Sequence, residues 1–415
     1  MRAPTEAHET VTAGSTDAPA RGSLADAARE LTAALSAQAE ACEAAGDLTD
    51  ATVAMLRDSG LVGLWVPACF GGAEAGPLEA LEAIEAVSYA DGATGWVLMA
   101  WQVATASAAA YLPAPAANAV FGGERIPIIA GTGAPMGRAV AEGDGFRLTG
   151  RWRYGSGLLH AAWTHSGAPV YEGDHPRMLP GTNLPEIRIF IVALEQAELH
   201  SGWEDVLGLR ATASVDYSIT DVVVPAEYTH QQSTNVPVSG GSLYRLGIGG
   251  MGAICHSAWA LGVGRRALDE LTAIAVSDPG LSTRIPQPGG GEAFHERYSQ
   301  AEARFRAARA FVIESQSAIA ATIMRGEPMT TRQISLARLA LNHVTSTVAE
   351  IGTFAYLYGG GSSLRPGALQ RCFRDIYTGT QHATTGPAML QPIADDLLGL
   401  ADGKVWFGRG LVDPA

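Results

Sequence analysis

Gly150-Arg151-Trp152-Arg153-Tyr154-Gly155-Ser156-Gly157-Leu158-Leu159-His160-Ala161-Ala162-Trp163 reads as a strand that runs into a tight turn. Ser156 stands between two glycines where the strand pattern ends. A glycine on each side leaves the backbone open to close approach by a planar ring. A serine hydroxyl placed there both donates and accepts hydrogen bonds. Taken alone, the same tripeptide is also an ordinary polar turn. Far downstream, Leu369-Gln370-Arg371-Cys372-Phe373-Arg374-Asp375-Ile376-Tyr377-Thr378-Gly379-Thr380-Gln381-His382 reads as a helix that carries an Arg-Asp pair and then a histidine. No carboxylate occurs between Asp375 and Asp395. A lone helical histidine is commonly a surface or core group, but small residues (Thr380, Ala383, Gly386) surround this one and leave room for a ligand.

Before the first stretch, apolar positions recur at three- and four-residue spacing, as in Leu31 and Leu35 and in Val53, Leu56 and Leu61, which predicts helices. Between about Arg125 and His230 the pattern changes. Residues 126–131, 146–150, 187–194 and 215–224 read as strands, and 172–186, with three prolines and two glycines, reads as a long loop. Beyond it, 253–274, 294–325 and 331–357 read as long Ala-rich helices, interrupted by Gly and Pro over 278–291. Helices, then strands, then helices indicate an α+β chain rather than an alternating α/β one. The expected division is a disordered tail over 1–21, a helical domain over 22–124, a β-domain over 125–235 and a C-terminal helical-bundle domain over 236–415.

The composition, 47% hydrophobic and 17% charged, supports a large core with surface left for other subunits. A net charge of -14 with Lys404 as the only lysine excludes nucleic-acid binding through a basic face. The N-terminus lacks the basic start and apolar run of a signal peptide, and no run of about 18 uninterrupted apolar residues points to a membrane span. Cys42, Cys69, Cys255 and Cys372 form no Cys-x-x-Cys pair, so reduced thiols in a cytoplasmic protein are expected. No His-Glu-x-x-His or Cys/His set offers a metal site, no Gly-x-Ser-x-Gly marks a hydrolase, and no Gly-x-Gly-x-x-Gly opens a nucleotide-binding βαβ unit. Gly359-Gly360-Gly361 follows a helix and reads first as its C-terminal turn.

Taken together and in order, the two stretches resemble the acyl-CoA dehydrogenase fold over roughly residues 25–400. Gly60 to Pro67, Phe70-Gly71-Gly72 and Asp91 to Trp96 match the N-terminal domain of that family. Dehydrogenases carry a glutamate base soon after the Arg-Asp pair. His382 in its place is similar to the group D two-component flavin-dependent monooxygenases, including the indole hydroxylases of indole-terpenoid biosynthesis. The resemblance implies a helical N-terminal domain, a middle β-domain, a C-terminal four-helix bundle and a homotetramer. It implies reduced FAD or FMN, bound non-covalently and delivered by a separate flavin reductase, with O2 as co-substrate. A flavin C4a-hydroperoxide would then hydroxylate a small aromatic substrate, indole-like or phenolic.

On that resemblance Ser156 faces flavin N5 and His382 stabilises the peroxide. Tyr154, Thr212 and Ser214 stand near the flavin, since Gly208-Leu209-Arg210-Ala211-Thr212-Ala213-Ser214 resembles the family's Gly-Met-Arg-Gly-Thr-Gly-Ser turn with two glycines replaced by Ala211 and Ala213. Arg284 and the glycines 359, 360 and 361 are expected on the phosphate or ribityl part. His160 either lines the substrate cavity or bonds across the sheet. Trp96, Trp101, Tyr154 and Trp163 either shape an apolar pocket or fill the core. Phenol hydroxylases of the family carry a histidine close to where Trp101-Gln102 stands here, which favours a neutral aromatic such as an indole. An amine N-oxygenase and an acyl-CoA dehydrogenase are the alternatives; no acidic residue lies around 247–268 to serve as a dehydrogenase base.

Overall fold

The computed structural model describes residues 23–277 and 290–414, so the expected tail over 1–21, Arg284 and most of the 278–291 interruption lie outside the described residues. Six helices come first: α1 (Leu24–Glu30), α2 (Thr32–Ala45), α3 (Asp50–Asp58), α4 (Pro77–Ala90), α5 (Gly92–Tyr111) and α6 (Ala114–Phe121). Nine strands follow: β1 (Ile129–Ala130), β2 (Gly137–Glu142), β3 (Gly145–Gly155), β4 (Trp163–Glu172), β5 (His175–Pro176), β6 (Ile187–Ala193), β7 (Glu198–His200), β8 (Val215–Pro225) and β9 (Thr229–Gln231). Long helices return as α7 (Gly247–Ser277), α8 (Gly290–Met324), α9 (Thr331–Tyr358), α10 (Ala368–Gly379) and the shorter α11 (Leu390–Leu397). A hairpin of β10 (Val405–Phe407) and β11 (Gly410–Val412) ends the described chain.

Helix α5 is the axis on which these parts meet. Asp91 caps it by accepting from the Thr94 N–H at 2.9 Å and the Thr94 hydroxyl at 2.8 Å. Seventeen of its 20 residues are buried, because α4, α7, β1 and the Leu61–Gly63 turn all pack on it. Its Ala, Gly, Ser and Thr content answers that crowding, for large side chains would hold the neighbours apart. Helix α7 is long and apolar enough to cross a membrane, but most of that stretch is buried against α4, α5, α9 and α10, which explains its character without a bilayer. Helix α9 starts in a reciprocal capping box between Thr330 and Gln333.

The sheet runs β7-β8-β3-β2-β4-β6-β9, with β1 and β5 added on β4. Trp152 of β3 is fully buried, stacks on Tyr217 of β8 at 5.4 Å and donates through its indole N–H to the Gly167 carbonyl at 2.8 Å. The strand expected over 126–131 shortens to Ile129–Ala130, since Pro127 offers no N–H to a ladder. The expected loop over 172–186 is an ordered excursion. Its β5 pairs with β4, Met178 bridges Pro185, and Arg177 holds Glu186 at 2.6 Å. Strand β2 and the β10–β11 hairpin carry too little apolar alternation to be read in advance and are specified by backbone pairing.

Candidate functional site

Ser156 lies where β3 gives way to the Leu158–His160 turn. The chain reverses through Tyr154 (φ 64) and Gly157 (φ 68), and the Gly157 N–H donates to the Thr212 carbonyl at 2.9 Å. Only glycine fits at 157, since a Cβ there would stand 2.4 Å from the Trp101 indole nitrogen. The Ser156 hydroxyl, 6% exposed, meets the Ser214 hydroxyl at 2.7 Å, and Ser214 meets Thr212 at 2.7 Å. Thr212 in turn donates to the Leu209 carbonyl at 2.9 Å. This chain of hydroxyls fixes the orientation of Ser156, to which the Trp96 indole N–H also donates at 3.2 Å.

Loop 208–214 is pinned to α10. The Leu209 N–H donates to Asp375 at 2.6 Å, and a Cβ at Gly208 would stand 2.3 Å from the Arg374 carbonyl. Leu209 (φ 53) and Ala213 (φ 40) both hold left-handed backbone, each at a cost of about 1–2 kcal/mol. The tight turn therefore survives with alanine in place of glycine at 213. Arg374 pairs with Glu43 at 2.6 Å, which gives the Arg-Asp pair a clamping role between α2, the loop and α10. Burial pushes the Asp375 carboxyl up to about 7, with Asp91 adding to the rise and the Leu209 N–H opposing it.

Across Trp96 lies the second half of the site. His382 is not on a helix as expected. Helix α10 ends at Gly379, and His382 sits in the following turn, where the Thr385 hydroxyl donates to its carbonyl at 2.8 Å. A Cβ at Gly379 would stand 2.2 Å from the Trp259 ring, so the last turn of α10 needs glycine to lie against α7. The Nδ1 of His382 meets the Thr384 hydroxyl at 2.8 Å and accepts from the Thr384 N–H at 3.4 Å. The neutral ring therefore carries its proton on Nε2. Burial, with the Arg409 guanidinium adding to it, holds this imidazole down at about 4, so it is neutral at pH 7.

Sequence reading missed His256. It lies on α7, its ring centroid 4.1 Å from that of His382 and 5.3 Å from Trp96. Trp259, one turn further on, packs edge-on to Trp96 at 4.9 Å. The surrounding protein, and then the facing His382, hold the His256 imidazole well below its usual value, although part of its ring stays open. The available signal is its position: it is the one basic side chain on α7 before Arg265, in the stretch where a dehydrogenase could carry its base and this chain has no carboxylate.

Ser156, Thr212, Ser214, Trp96 and His382 are thus brought together. Thr212 is fully buried and Ser214 nearly so, both behind Ser156. Tyr154 is 61% exposed beside Trp203. Trp101 lies beneath the turn and donates to the Gly157 carbonyl at 3.1 Å. Gln102 is 1% exposed, and its amide is engaged with Trp65 N–H, Leu61 O and Val62 O. His160 ends the turn after β3, beyond the strand end at which Ser156 stands, and it pairs with Asp47 at 3.0 Å. Trp163 stacks on Tyr228 at 6.0 Å. Gly359, Gly360 and Gly361 precede α10, at the opposite end of a helix about 18 Å long from His382. Among the described residues no group of three or more His, Cys, Asp or Glu could hold a metal.

The residues fit a flavin: a hydroxyl flanked by glycines, a neutral imidazole with a free N–H, and indole rings around them. The acyl-CoA dehydrogenase N-terminal domain family matches residues 19–112, and its C-terminal domain family matches 254–387. The chain is 30% identical over 345 residues, 83% of each chain, to the indole-3-acetate monooxygenase of Pseudomonas putida. It is 28% identical over 371 residues to the oxygenase subunit HsaA of a flavin-dependent monooxygenase from Mycobacterium tuberculosis, covering 84% of this chain and 88% of that one. The crystal structure of XiaF from Streptomyces sp., in complex with FADH2 and glycerol, superposes with a TM-score of 0.78 at 22% identity, over 91% of this chain and 95% of that one. The chain belongs to the flavin-dependent monooxygenases built on the acyl-CoA dehydrogenase fold. It is an enzyme of that class and depends on flavin.

Proposed function

We propose that the chain hydroxylates a small aromatic substrate, indole-like before phenolic, with reduced FAD or FMN received from a separate reductase and with O2. The observation that carries this reading is that the Ser156 hydroxyl and the His382 ring both meet Trp96, the first accepting from its indole N–H at 3.2 Å and the second with ring centroids 5.8 Å apart. The relative that acts on indole-3-acetate supports the substrate class.

When bound, the reduced flavin supplies the electrons that activate O2. The protein supplies the surroundings. Ser156, held by Ser214 and Thr212, presents a fixed hydroxyl to the polar edge of the flavin ring. His382 donates its Nε2–H toward oxygen without bringing a positive charge. Trp96 and Trp259 exclude water from the space between. Asp375 keeps the loop with Thr212 and Ser214 in register with the turn that bears His382.

The proposal extends to the whole protein. Helical units over 22–124 and 236–415 flank a β-unit over 125–235. Leu357 and Leu364 are 62% and 68% exposed on the bundle, and a homotetramer would cover such surface. Four free cysteines suit a reducing cytoplasm. Ser156→Ala tests the site. Removing one hydrogen bond at a buried polar contact is worth about 1–3 kcal/mol. The variant should bind flavin within a few-fold of the parent, by equilibrium dialysis, and release several times more hydrogen peroxide per turnover. Unchanged coupling would reduce Ser156 to a turn residue.

A further inference from the structure

Three polar side chains border the space around Trp96, and they differ in what they already hold. The Ser156 hydroxyl is engaged with Ser214 and with the Trp96 indole N–H. His382 has Nδ1 engaged with Thr384 and its proton on Nε2. Neither ring nitrogen of His256 has a hydrogen-bond partner among the described residues, and part of the ring is open. Two side chains expected in the substrate pocket are engaged elsewhere: Gln102 holds three backbone groups, and His160 pairs with Asp47.

The space in front of His256 is also clear along its own helix. Gly252 lies one turn earlier on the same face, and a Cβ placed there meets nothing within 4 Å. Gly249 lies on that face another turn back, with only the Arg338 guanidinium 3.9 Å from such a Cβ. A flat ring lying along this face would bring one edge to His256. A neutral imidazole beside a second neutral imidazole is a good acceptor and a poor cation.

We infer that His256 accepts a hydrogen bond from the ring N–H or O–H of the aromatic substrate and so selects substrates that carry such a donor. The inference rests on the aromatic hydroxylation proposed above and narrows it. His382 serves the oxygen side, and His256 serves the substrate side. A site that offers an acceptor to a donor rejects the isostere lacking that donor, because the acceptor is then left buried and unpaired. The proton stays on the substrate while the bond orients the ring.

The test compares indole-3-acetate with benzofuran-3-acetate, which replaces the ring N–H by oxygen at nearly the same shape. Dissociation constants are measured by calorimetry under argon on full-length protein holding reduced flavin. The parent should bind the indole about tenfold tighter, as expected for one good hydrogen bond. In His256→Leu that preference should vanish while flavin affinity and unfolding temperature hold. In His256→Gln part of it should return through the amide oxygen. In the parent, the nitrogen-15 signal of the His256 ring should move with the indole and not with the benzofuran. A tenfold preference that survives in His256→Leu, or is absent from the parent, overturns the assignment. If both ligands bind equally and are oxygenated, the aromatic reading stands and the His256 assignment alone falls. If neither binds the parent, the proposed substrate class falls and takes the assignment with it.

Discussion

Two pairs of histidines lie inside this protein, and they are alike in one respect only. His165 and His230 sit between α5 and the sheet with ring centroids 6.4 Å apart, and burial pushes them down to about 3 and about 4. His256 and His382 sit beside Trp96 with ring centroids 4.1 Å apart, and burial pushes them down as well. A depressed imidazole therefore records burial and does not identify a working site. The pairs part over what their edges meet. His165 is 3% exposed with Nε2 against the Ser107 hydroxyl at 3.0 Å, and His230 is 4% exposed with Nδ1 against the Gln231 carbonyl at 3.0 Å. The remaining nitrogen of His230 is sealed in without a partner, which costs stability and offers nothing to a ligand. His256 and His382 keep open edges, so a ligand can reach them.

The largest effect that would break this distinction is on turnover. His382→Ala should lower hydroxylation by a factor of about 100–1000, the usual loss for one preorganised donor. Flavin binding should stay within a few-fold, and oxygen consumed should reappear as hydrogen peroxide. Replacing His165 by Leu should leave the yield of hydroxylated product per oxygen nearly unchanged in whatever protein folds. Equal losses of coupling in the two variants would show that open edges do not separate the pairs.

The His165 and His230 pair should show itself instead in acid stability. For a histidine whose folded value lies below its unfolded 6.5, the unfolded chain binds the extra proton as the pH falls. The stability it contributes is complete above 6.5 and is lost as the pH drops toward the folded values of about 3 and 4. One such group removes about 2 kcal/mol at pH 5 relative to pH 8. Urea unfolding at the two pH values should show the fall, and His165→Leu should remove close to one proton from its slope. A variant with the parent's slope would mean that His165 does not titrate with unfolding.

How much of this was legible in the sequence follows from the kind of signal each residue leaves. Ser156 and the Arg374-Asp375 pair sit in local patterns, a strand ending between glycines and a helix with a polar pair, and local patterns survive in one dimension. The alternation around Trp152 and the Ala-rich faces of α8 and α9 gave the α+β order for the same reason. His256 left no such trace. It is flanked by Cys255 and Ser257 on a helix of small residues, and only the packing of α7 against α5 and α10 brings it to His382. The pairing of His160 with Asp47 is likewise a contact between distant segments, so the pattern around β3 leaves His160 open between the cavity and the sheet. The need for glycine at 379 comes from the Trp259 ring beneath it, which the sequence around Arg374 does not contain.

The smallest effect sharpens the comparison within the site pair. Thr384 fixes which nitrogen of His382 bears the proton, through its hydroxyl at 2.8 Å and its backbone N–H at 3.4 Å from Nδ1. Thr384→Val keeps the shape and the N–H but removes the hydroxyl. The surviving N–H is the longer and weaker of the two contacts, so the Nε2–H form should lose about 1 kcal/mol of its preference. Nitrogen-15 spectra of the ring should show the Nδ1–H form rising, and coupling should fall by about fivefold or less. Flavin affinity should stay within a few-fold of the parent. A variant with unaltered ring nitrogens and unaltered coupling would show that the backbone N–H alone sets the tautomer. A variant that loses coupling as fully as His382→Ala would show that the turn, and not the tautomer, was the quantity Thr384 controls.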